Sequence, residues 1–266
     1  MGPAEHLTRV PKLGREILDI AGKTIIVTGG GGGIGGATAV LLAERGAAVV
    51  LVDRDETAAK DVLEQLASGS HRLVDADVSD PEQITGIFDL ISAEGRDFAG
   101  VINAAGIVSG GLPWPASDLG RMRTVIEVNA AGTILLSTLA ARQSGSGGRI
   151  VVNVASAAAI RPLPPDPAYA ASKAAVLAFT RSAAAAAVPG LRVNAVLPGV
   201  VRTRMLDSTG TDGVAPWLAP RLEQPLLTAG QVAAAILELV VGDQNGESWS
   251  LELDKSNPDR VIRSVL

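Results

Sequence analysis

Short runs of consecutive apolar residues alternate with helical segments along almost the whole chain. TIIVTG from residue 24 is typical of a buried strand, GIGGATAVLLAERG from residue 33 of a helix, and AAVVLVD from residue 47 of a second buried strand. Five further strands follow in the same alternation. Apolar strands without polar alternation are buried on both faces, which requires parallel strands covered by helices on each side. The sequence therefore predicts a doubly wound α/β fold with a mainly parallel sheet of seven strands.

The composition narrows the class of ligand. The chain is 47% hydrophobic and 19% charged, which is ample for a buried core, and its formal net charge is -5 with no basic block. We therefore expect a small-molecule ligand rather than nucleic acid or an anionic membrane. There is no cysteine, and the two histidines, His6 and His71, have no ligand-like neighbours one helical turn away. Disulfides, thiolate chemistry, a histidine triad and a metal site are therefore not expected.

The limits of the alternation set the expected domain boundaries. We expect one domain over residues 21–254, preceded by an extension over 1–20 and followed by a tail over 255–266. The N-terminal residues lack the continuous apolar core of a signal peptide, and no uninterrupted apolar run reaches membrane-spanning length, so a cytoplasmic location is expected. Residues 202–227 are rich in Thr, Gly and Pro without a clear helical period, which is typical of an active-site lid.

A glycine-rich loop, TGGGGGIG over residues 28–35, joins the first predicted strand to the first helix. Glycine lets the backbone turn sharply and approach a pyrophosphate, while the following helix offers unpaired N–H groups and the positive end of its dipole. Asp53 ends the second strand about 20 residues later, where a carboxylate accepts hydrogen bonds from ribose hydroxyls and repels a 2′-phosphate. The pattern predicts a dinucleotide site that prefers NAD. Arg54 would favour NADP, but the glycine loop itself carries no Lys or Arg.

The single tyrosine of the chain, Tyr169, lies four residues before Lys173. Residues at i and i+4 share one face of a helix, so the phenol and the ammonium are expected in the same cleft. A cation about 4 Å from a phenol would lower its pKa from ~10 toward neutrality, where a general acid or base works best. The same spacing also occurs among ordinary surface and packing residues, so the pair alone leaves both interpretations open.

Taken together, these motifs resemble the short-chain dehydrogenase/reductase family from about residue 21 to about residue 253. The resemblance implies a Rossmann-type fold and a nicotinamide cofactor. The family's TGxxxGIG motif, its acid-Val pair at adenine, its NNAG turn and its PG turn at the nicotinamide match distinct short segments. These cofactor-binding candidates are Thr28, Gly29, Gly32, Gly33, Ile34 and Gly35, with Asp53 and Arg54, then Asp77 and Val78, then Asn103, Ala104, Ala105 and Gly106, and finally Pro198, Gly199, Val200 and Thr203, together with Tyr169 and Lys173.

The family's catalytic set of Asn, Ser, Tyr and Lys matches Asn129, Ser156, Tyr169 and Lys173. The resemblance implies that Tyr169 exchanges a proton with the alcohol or carbonyl oxygen while Ser156 holds that oxygen by a hydrogen bond. Lys173 would lower the pKa of the phenol and bind the nicotinamide ribose, and Asn129 would hold a water that links Lys173 to solvent. Two departures stand out, since Ala104 replaces the second Asn of NNAG and the last predicted strand is followed by KSNPDR rather than the family's usual DGG.

The resemblance implies an NAD-dependent enzyme that interconverts a secondary alcohol and a ketone, assembled as a homodimer or homotetramer. Candidate walls for the substrate are residues 107–114, 157–163 and 205–217, and their mainly aliphatic character with two tryptophans suggests an apolar substrate. Arg161 and Arg204 are candidates for an anionic group, although exposed arginines are usually solvated. Two alternatives remain open: an NADPH-dependent reductase of 3-oxoacyl thioesters, and a nicotinamide-binding sensor without turnover.

Overall fold

The computed structural model describes residues 18–143, 148–254 and 256–266, without the side chains of residues 258 and 259. In chain order the strands are β1 (Thr24–Thr28), β2 (Ala48–Asp53), β3 (Arg72–Asp75), β4 (Phe98–Asn103), β5 (Arg149–Val154), β6 (Leu191–Pro198), β7 (Val201–Arg202), β8 (Leu227–Thr228), β9 (Ser248–Asp254) and β10 (Asn257–Val265). The α-helices are α1 (Gly33–Glu44), α2 (Glu56–Leu63), α3 (Pro81–Ala93), α4 (Leu119–Ile126), α5 (Thr133–Arg142), α6 (Pro167–Ala185), α7 (Ala219–Leu222) and α8 (Ala229–Val241).

The main sheet has the order β10-β9-β6-β5-β4-β1-β2-β3, and all neighbours are parallel except β10 and β9. Strands β7 and β8 form a separate parallel pair. The doubly wound fold that the alternation predicted is confirmed, but the sheet has eight strands rather than seven. The chain reverses its direction of progress across the sheet between β1 and β4, and ligands of such folds bind at this crevice.

The additional strand, β10, comes from the segment that the sequence suggested was a tail. It runs antiparallel to β9, with Val261 opposite Leu253 and Val265 opposite Trp249. The guanidinium carbon of Arg263 lies 4.0 Å from the ring centroid of Trp249, and the same side chain donates to Glu238 at 2.6 Å. Its residues are mostly exposed, and the charged and polar side chains of an edge strand lack the apolar run by which the other strands were recognised.

Two apolar layers enclose the sheet, one on each face. Ile25 of β1 belongs to the layer that contains Leu42 of α1 and Ile236 of α8. Its neighbour Ile26 belongs to the opposite layer, with Ile84 of α3 and other helical side chains. Consecutive strand residues point to opposite faces, so both need to be apolar in a sheet that is covered twice.

The N-terminal extension proposed over residues 1–20 falls almost entirely outside the described residues. Leu18 and Ile20, at its inner end, are 6% and 3% exposed and pack in the same apolar layer as Ile25.

The helical segment from Leu119 to Arg142 is continuous but not uniformly α-helical. A π-helical stretch, Glu127–Gly132, separates α4 from α5. The whole segment is long and apolar enough by composition to cross a membrane, but half of its most apolar window is buried inside the fold. We therefore interpret it as a core helix of a folded domain. Its π-helical stretch carries a fully buried polar side chain, Asn129.

Candidate active site

The principal cavity lies at the carboxyl ends of the parallel strands and has a volume of about 1190 Å³. Its floor includes Gly29 after β1, Asp53 at the end of β2, Ala105 after β4 and Ser156 after β5. A cavity of this size can accommodate a dinucleotide together with a small substrate. The predicted cofactor and catalytic residues line it, apart from Thr28, Asn103 and Asn129, which lie just behind its surface.

The glycine loop packs so closely on its neighbours that side chains would not fit. Gly29 has φ +64°, and a Cβ there would lie 2.8 Å from the backbone of Ala105. A Cβ on Gly35 would lie 2.1 Å from the carbonyl oxygen of Gly29. The N-terminus of α1 begins at this loop, and its N-cap residue, Gly32, offers no side chain to the first-turn N–H groups. These groups and the helix dipole form a cradle that could hold the phosphates of a dinucleotide.

Asp53 is fixed at the edge of this cradle by two backbone donors. The N–H of Gly31 donates to its Oδ2 at 2.9 Å, and the N–H of Asp55 donates to its Oδ1 at 3.0 Å. Both hydrogen bonds hold the carboxylate toward the cavity. The residue keeps acceptor capacity for further donors, because an ionised carboxylate offers about four lone-pair positions. A carboxylate with free acceptor positions could accept hydrogen bonds from the hydroxyls of a ribose.

Arg54, the residue after Asp53, lies 3.5 Å from Asp77. Burial raises the pKa of the Asp77 carboxyl, but hydrogen bonds from Ser79 and the charge of Arg54 outweigh that effect, so its pKa lies below the ordinary value. Asp77 is therefore a carboxylate on the wall of the cavity, and its neighbour Val78 is 7% exposed and lines the same wall.

The turn after β4 brings two loops together. Thr28 accepts a hydrogen bond from the N–H of Ala105 at 3.2 Å, which joins the glycine loop to the NAAG turn. Asn103 points away from the cavity into the sheet, where its amide donates to Asn153 at 2.8 Å and to Ser137 at 3.0 Å. Thr28 and Asn103 thus form hydrogen bonds behind the cavity surface. The cavity itself is lined at this turn by Ala104, Ala105 and Gly106.

Helix α6 carries Tyr169 and Lys173 on one face, as their spacing predicted. The Nζ of Lys173 lies 5.8 Å from the centroid of the Tyr169 ring and donates to the carbonyl oxygen of Val154 at 2.8 Å. Ser156 lies two residues beyond that carbonyl and lines the cavity with Tyr169. The phenol of Tyr169, the hydroxyl of Ser156 and the ammonium of Lys173 therefore line the same part of the cavity.

The protein surroundings shift the pKa of both members of this pair. Burial lowers the pKa of Lys173 from 10.5 to about 8. Burial also raises the pKa of the Tyr169 phenol, a hydrogen bond with Ser156 opposes this, and the charge of Asp166 adds to it. The expected lowering of the phenol pKa by Lys173 is therefore wrong for the protein alone. At 5.8 Å from the ring centroid, the ammonium is too far away to outweigh the burial of the ring.

Asn129 lies in the π-helical stretch and is held on three sides. Its Oδ1 accepts from the N–H of Ile107 at 2.8 Å, and its Nδ2 donates to the Ile107 carbonyl at 2.9 Å and to Ser172 at 3.0 Å. A Cβ on Gly106 would lie 3.2 Å from the Nζ of Lys173 and 3.3 Å from the Oδ1 of Asn129. The lack of a side chain at Gly106 therefore brings Asn129 and Lys173 close to the same turn.

The sequence analysis missed Asp166, which organises the site. It is 6% exposed and caps α6 by accepting from the N–H of Tyr169 at 3.0 Å. Its carboxylate also accepts from the hydroxyl of Ser109 at 2.6 Å and from the N–H of Ser109 at 2.9 Å. The signal was present in the sequence, because an Asp followed by Pro three residues before Tyr169 is a typical helix start.

The two arginines proposed for an anionic group are already occupied by carboxylates. Arg161 forms an ion pair with Glu252. Arg204 reaches the glycine loop, where it donates to the carbonyl oxygen of Gly31 at 2.7 Å and lies 3.6 Å from Asp55. Of the two tryptophans, Trp217 lines the cavity, whereas Trp114 is 56% exposed and does not.

Comparison with known proteins places this geometry in context. The model of the family described as short chain dehydrogenase matches residues 23–213. A cis-4-hydroxycyclohexanecarboxylate dehydrogenase of Sinomonas cyclohexanicum is 37% identical over 220 residues, which cover 81% of this chain and 88% of the relative. A 2,5-dichloro-2,5-cyclohexadiene-1,4-diol dehydrogenase of Sphingobium indicum is 38% identical over 206 residues, covering 75% and 82%. The crystal structure of a short chain dehydrogenase from Burkholderia cenocepacia in complex with NADP superposes with a TM-score of 0.76 at 29% identity, covering 91% of this chain and 100% of that one.

Proposed function

Because this chain belongs to the short-chain dehydrogenase family, we propose that it interconverts a secondary alcohol and a ketone by hydride transfer with NAD. The observation that carries this proposal is the convergence of Tyr169, Ser156 and Lys173 on the cavity that the uncapped N-terminus of α1 also faces. In that position a phenol can exchange a proton with a substrate oxygen while a phosphate-binding cradle holds a dinucleotide beside it.

The residues of the cavity fit a nicotinamide dinucleotide. The close-packed glycines and the first turn of α1 would hold its pyrophosphate, Asp53 its adenosine ribose, and Lys173 with Thr203 its nicotinamide end. When bound, the cofactor supplies the hydride acceptor or donor, and the protein provides position and proton transfer.

The protein's own part in the reaction is the control of one proton. Ser156 positions the reacting oxygen by a hydrogen bond, and Tyr169 accepts its proton during oxidation or donates one during reduction. Lys173, fixed by its bond to the Val154 carbonyl, places a positive charge 5.8 Å from the centroid of the phenol ring, which favours the deprotonated phenol but does not by itself outweigh the burial of the ring. Asn129 keeps the turn at Ile107 and the start of α6 in register with Lys173.

The preference for NAD rests on Asp53. Its carboxylate is held toward the cavity by Gly31 and Asp55, and a 2′-phosphate beside it would meet a like charge. Calorimetric titration of NADH and NADPH tests this preference. We expect NADH to bind at least about tenfold more tightly, and Asp53→Ser to remove most of the difference. Equal affinities in the wild type would contradict the assignment.

For the substrate we propose a secondary alcohol on a carbocyclic ring. The walls of the cavity are largely apolar, with Val108, Leu163, Leu206 and Trp217 among them. The two relatives from Sinomonas and Sphingobium are both named for alcohols on six-membered rings. A screen of substituted cyclohexanols with NAD, followed by absorbance, tests the proposal.

The decisive variant is Tyr169→Phe, which removes one hydroxyl from a buried ring. We expect turnover to fall by about 10²-fold or more, with NADH affinity nearly unchanged because the cradle is intact. Ser182→Ala on the outer part of α6 is the matched control, since its exposed hydroxyl donates to the Ala178 carbonyl oxygen within the same helix. A Tyr169→Phe protein with wild-type turnover would refute the mechanism. A wild-type protein that binds NADH and turns over no alcohol or ketone would favour a sensor.

An NADPH-dependent reduction of 3-oxoacyl thioesters is the second candidate. Arg54 favours it, because an exposed guanidinium follows Asp53 directly and faces the same end of the cavity. Its ion pair with Asp77 at 3.5 Å leaves it less free to meet a phosphate. Turnover of an acetoacetyl thioester with NADPH, exceeding that of cyclohexanols with NAD, would support this candidate.

We also propose that the protein is cytoplasmic and forms a homodimer or a homotetramer. Sedimentation of the purified protein tests the oligomeric state.

A further inference from the structure

Two of the arginines that line the cavity are not paired with any of its carboxylates in the described part of the chain. Arg161 and Arg204 are paired with Glu252 and Asp55, as described above. Arg121 and Arg221 also line the cavity, and neither lies within ion-pair distance of a carboxylate in the part of the chain that the structure describes. A guanidinium that faces an apolar cavity without a counter-charge is a favourable place for an anion.

Arg121 is held in position by a single neutral contact. Its Nε donates to the carbonyl oxygen of Val108 at 3.1 Å, and its side chain is only partly exposed. Among residues 18–143, 148–254 and 256–266, its two terminal nitrogens have no hydrogen-bond partner. They therefore keep the planar pair of donors that matches a carboxylate. Arg221 donates through a terminal nitrogen to the carbonyl oxygen of Pro225 at 3.0 Å, so part of its donor pair is already used.

A chain of short contacts fixes Arg121 relative to the reacting group. Its contact, Val108, precedes Ser109, which is bonded to Asp166, and Asp166 caps the helix that carries Tyr169. The backbone N–H of Arg121 is itself bound by Asp118 at 2.7 Å, which fixes the start of α4. An anionic group bound at Arg121 would thus be held at a constant offset from the Tyr169 phenol.

We propose that Arg121 binds a carboxylate of the substrate, at the end of the molecule remote from the reacting alcohol. The substrate class is then a hydroxy acid or oxo acid whose ring separates the two groups. This inference rests on the proposed function, because it takes the space beside Tyr169 as the place of reaction. It assigns to Arg121 the selection and orientation of substrate, and no part in proton or hydride transfer.

The test compares an anion with its neutral isostere on the NADH-bound protein. Cyclohexanecarboxylate and cyclohexanecarboxamide are titrated calorimetrically into the wild type, Arg121→Gln, Arg221→Gln and Arg123→Gln. Arg123 is the matched control, because it lies on the same helix with an 80% exposed side chain paired to Glu127. We expect the wild type and the Arg123 variant to prefer the carboxylate by ~10–100-fold, as for a charge-assisted hydrogen bond, and the Arg121 variant to lose this preference.

Turnover with NAD separates this inference from the function on which it rests. 4-Hydroxycyclohexanecarboxylate and 4-methylcyclohexanol are compared, and Arg121→Gln should raise the KM of the acid alone with little change in kcat. Turnover of both alcohols with equal kcat/KM in the wild type would leave the dehydrogenase intact and overturn the role of Arg121. Three binding results would also overturn the role of Arg121. They are equal affinities for the carboxylate and the carboxamide, no measurable binding of the carboxylate, and a preference for the carboxylate that is lost only in Arg221→Gln.

Discussion

The amine of Lys173 lowers the stability of the fold that it serves. Its side chain is 4% exposed, and burial lowers its pKa from the ordinary 10.5 to about 8. In the unfolded chain the same amine titrates near its ordinary value. The unfolded chain therefore binds this proton more tightly than the folded protein does, and folding is disfavoured wherever the proton is bound.

The magnitude follows from the two pKa values. Above pH 10.5 neither state holds the proton and there is no penalty. As the pH falls from 10.5 toward about 8, the unfolded chain takes up the proton first and the penalty grows by about 1.4 kcal/mol per pH unit. Below that range it is constant at roughly 3 kcal/mol. Methionine in place of Lys173 removes the penalty but also the bond to Val154, which subtracts about 1 kcal/mol. We expect Lys173→Met to be more stable than the wild type at pH 7 by about 2 kcal/mol.

Urea unfolding of both proteins from pH 7 to pH 10 measures this difference. The advantage of Lys173→Met should be constant up to about pH 8 and then fall toward pH 10, where the wild type becomes equally stable or more stable. Lys60→Met is the control, because the Lys60 side chain is 58% exposed and its ion pair with Glu56 at 2.8 Å lies in solvent, so this substitution removes no buried charge and should give no comparable gain in stability at pH 7. A Lys173→Met advantage that does not change with pH would refute the reasoning.

Three further outcomes are expected. Gly35→Ala should abolish NADH binding or prevent folding, because its Cβ would lie 2.1 Å from the Gly29 carbonyl oxygen; calorimetry and circular dichroism check this. Gly86→Ala, at a position of α3 where a Cβ meets nothing within 4 Å, should instead raise the free energy of unfolding by about 0.5–1 kcal/mol in urea titrations. Asp166→Asn keeps a residue that can cap α6 but removes a charge that raises the Tyr169 pKa, so the pH profile of turnover should move to lower pH, and an unmoved profile would contradict that role.

Local sequence was enough for the features that depend on local chemistry. The order of β1, the glycine loop and α1 follows from an apolar run, a run of glycines and a helical period, and the structure has all three in that order. The i,i+4 pair of Tyr169 and Lys173 needed only helix geometry. These features are determined within a few residues, so a single sequence carries them.

Features that depend on partners distant in the sequence were not predictable. Asn103 could have faced the cavity or the sheet, and only the positions of Asn153 and Ser137 decide that it faces the sheet. The charges of Arg161 and Arg204 are used by Glu252 and Asp55, which lie 91 and 149 positions away in the chain. The predicted direction of the Tyr169 pKa shift was wrong for the same reason, because the burial that raises this pKa depends on every element that covers the ring.

Two walls of the substrate space are joined to each other rather than independently to the sheet. Ser109 is bonded twice to Asp166, and the N–H of Trp114 donates to the carbonyl oxygen of Pro165 at 3.1 Å. The segment after β4 and the segment before α6 are therefore coupled by hydrogen bonds and form one structural unit. Residues 202–227 are bonded instead to the glycine loop, through Arg204. Grafting a loop from a homologue into one of the two joined walls would leave its partner without matching hydrogen bonds. Substrate range in this protein should therefore evolve, and be engineered, by paired replacement of these two segments.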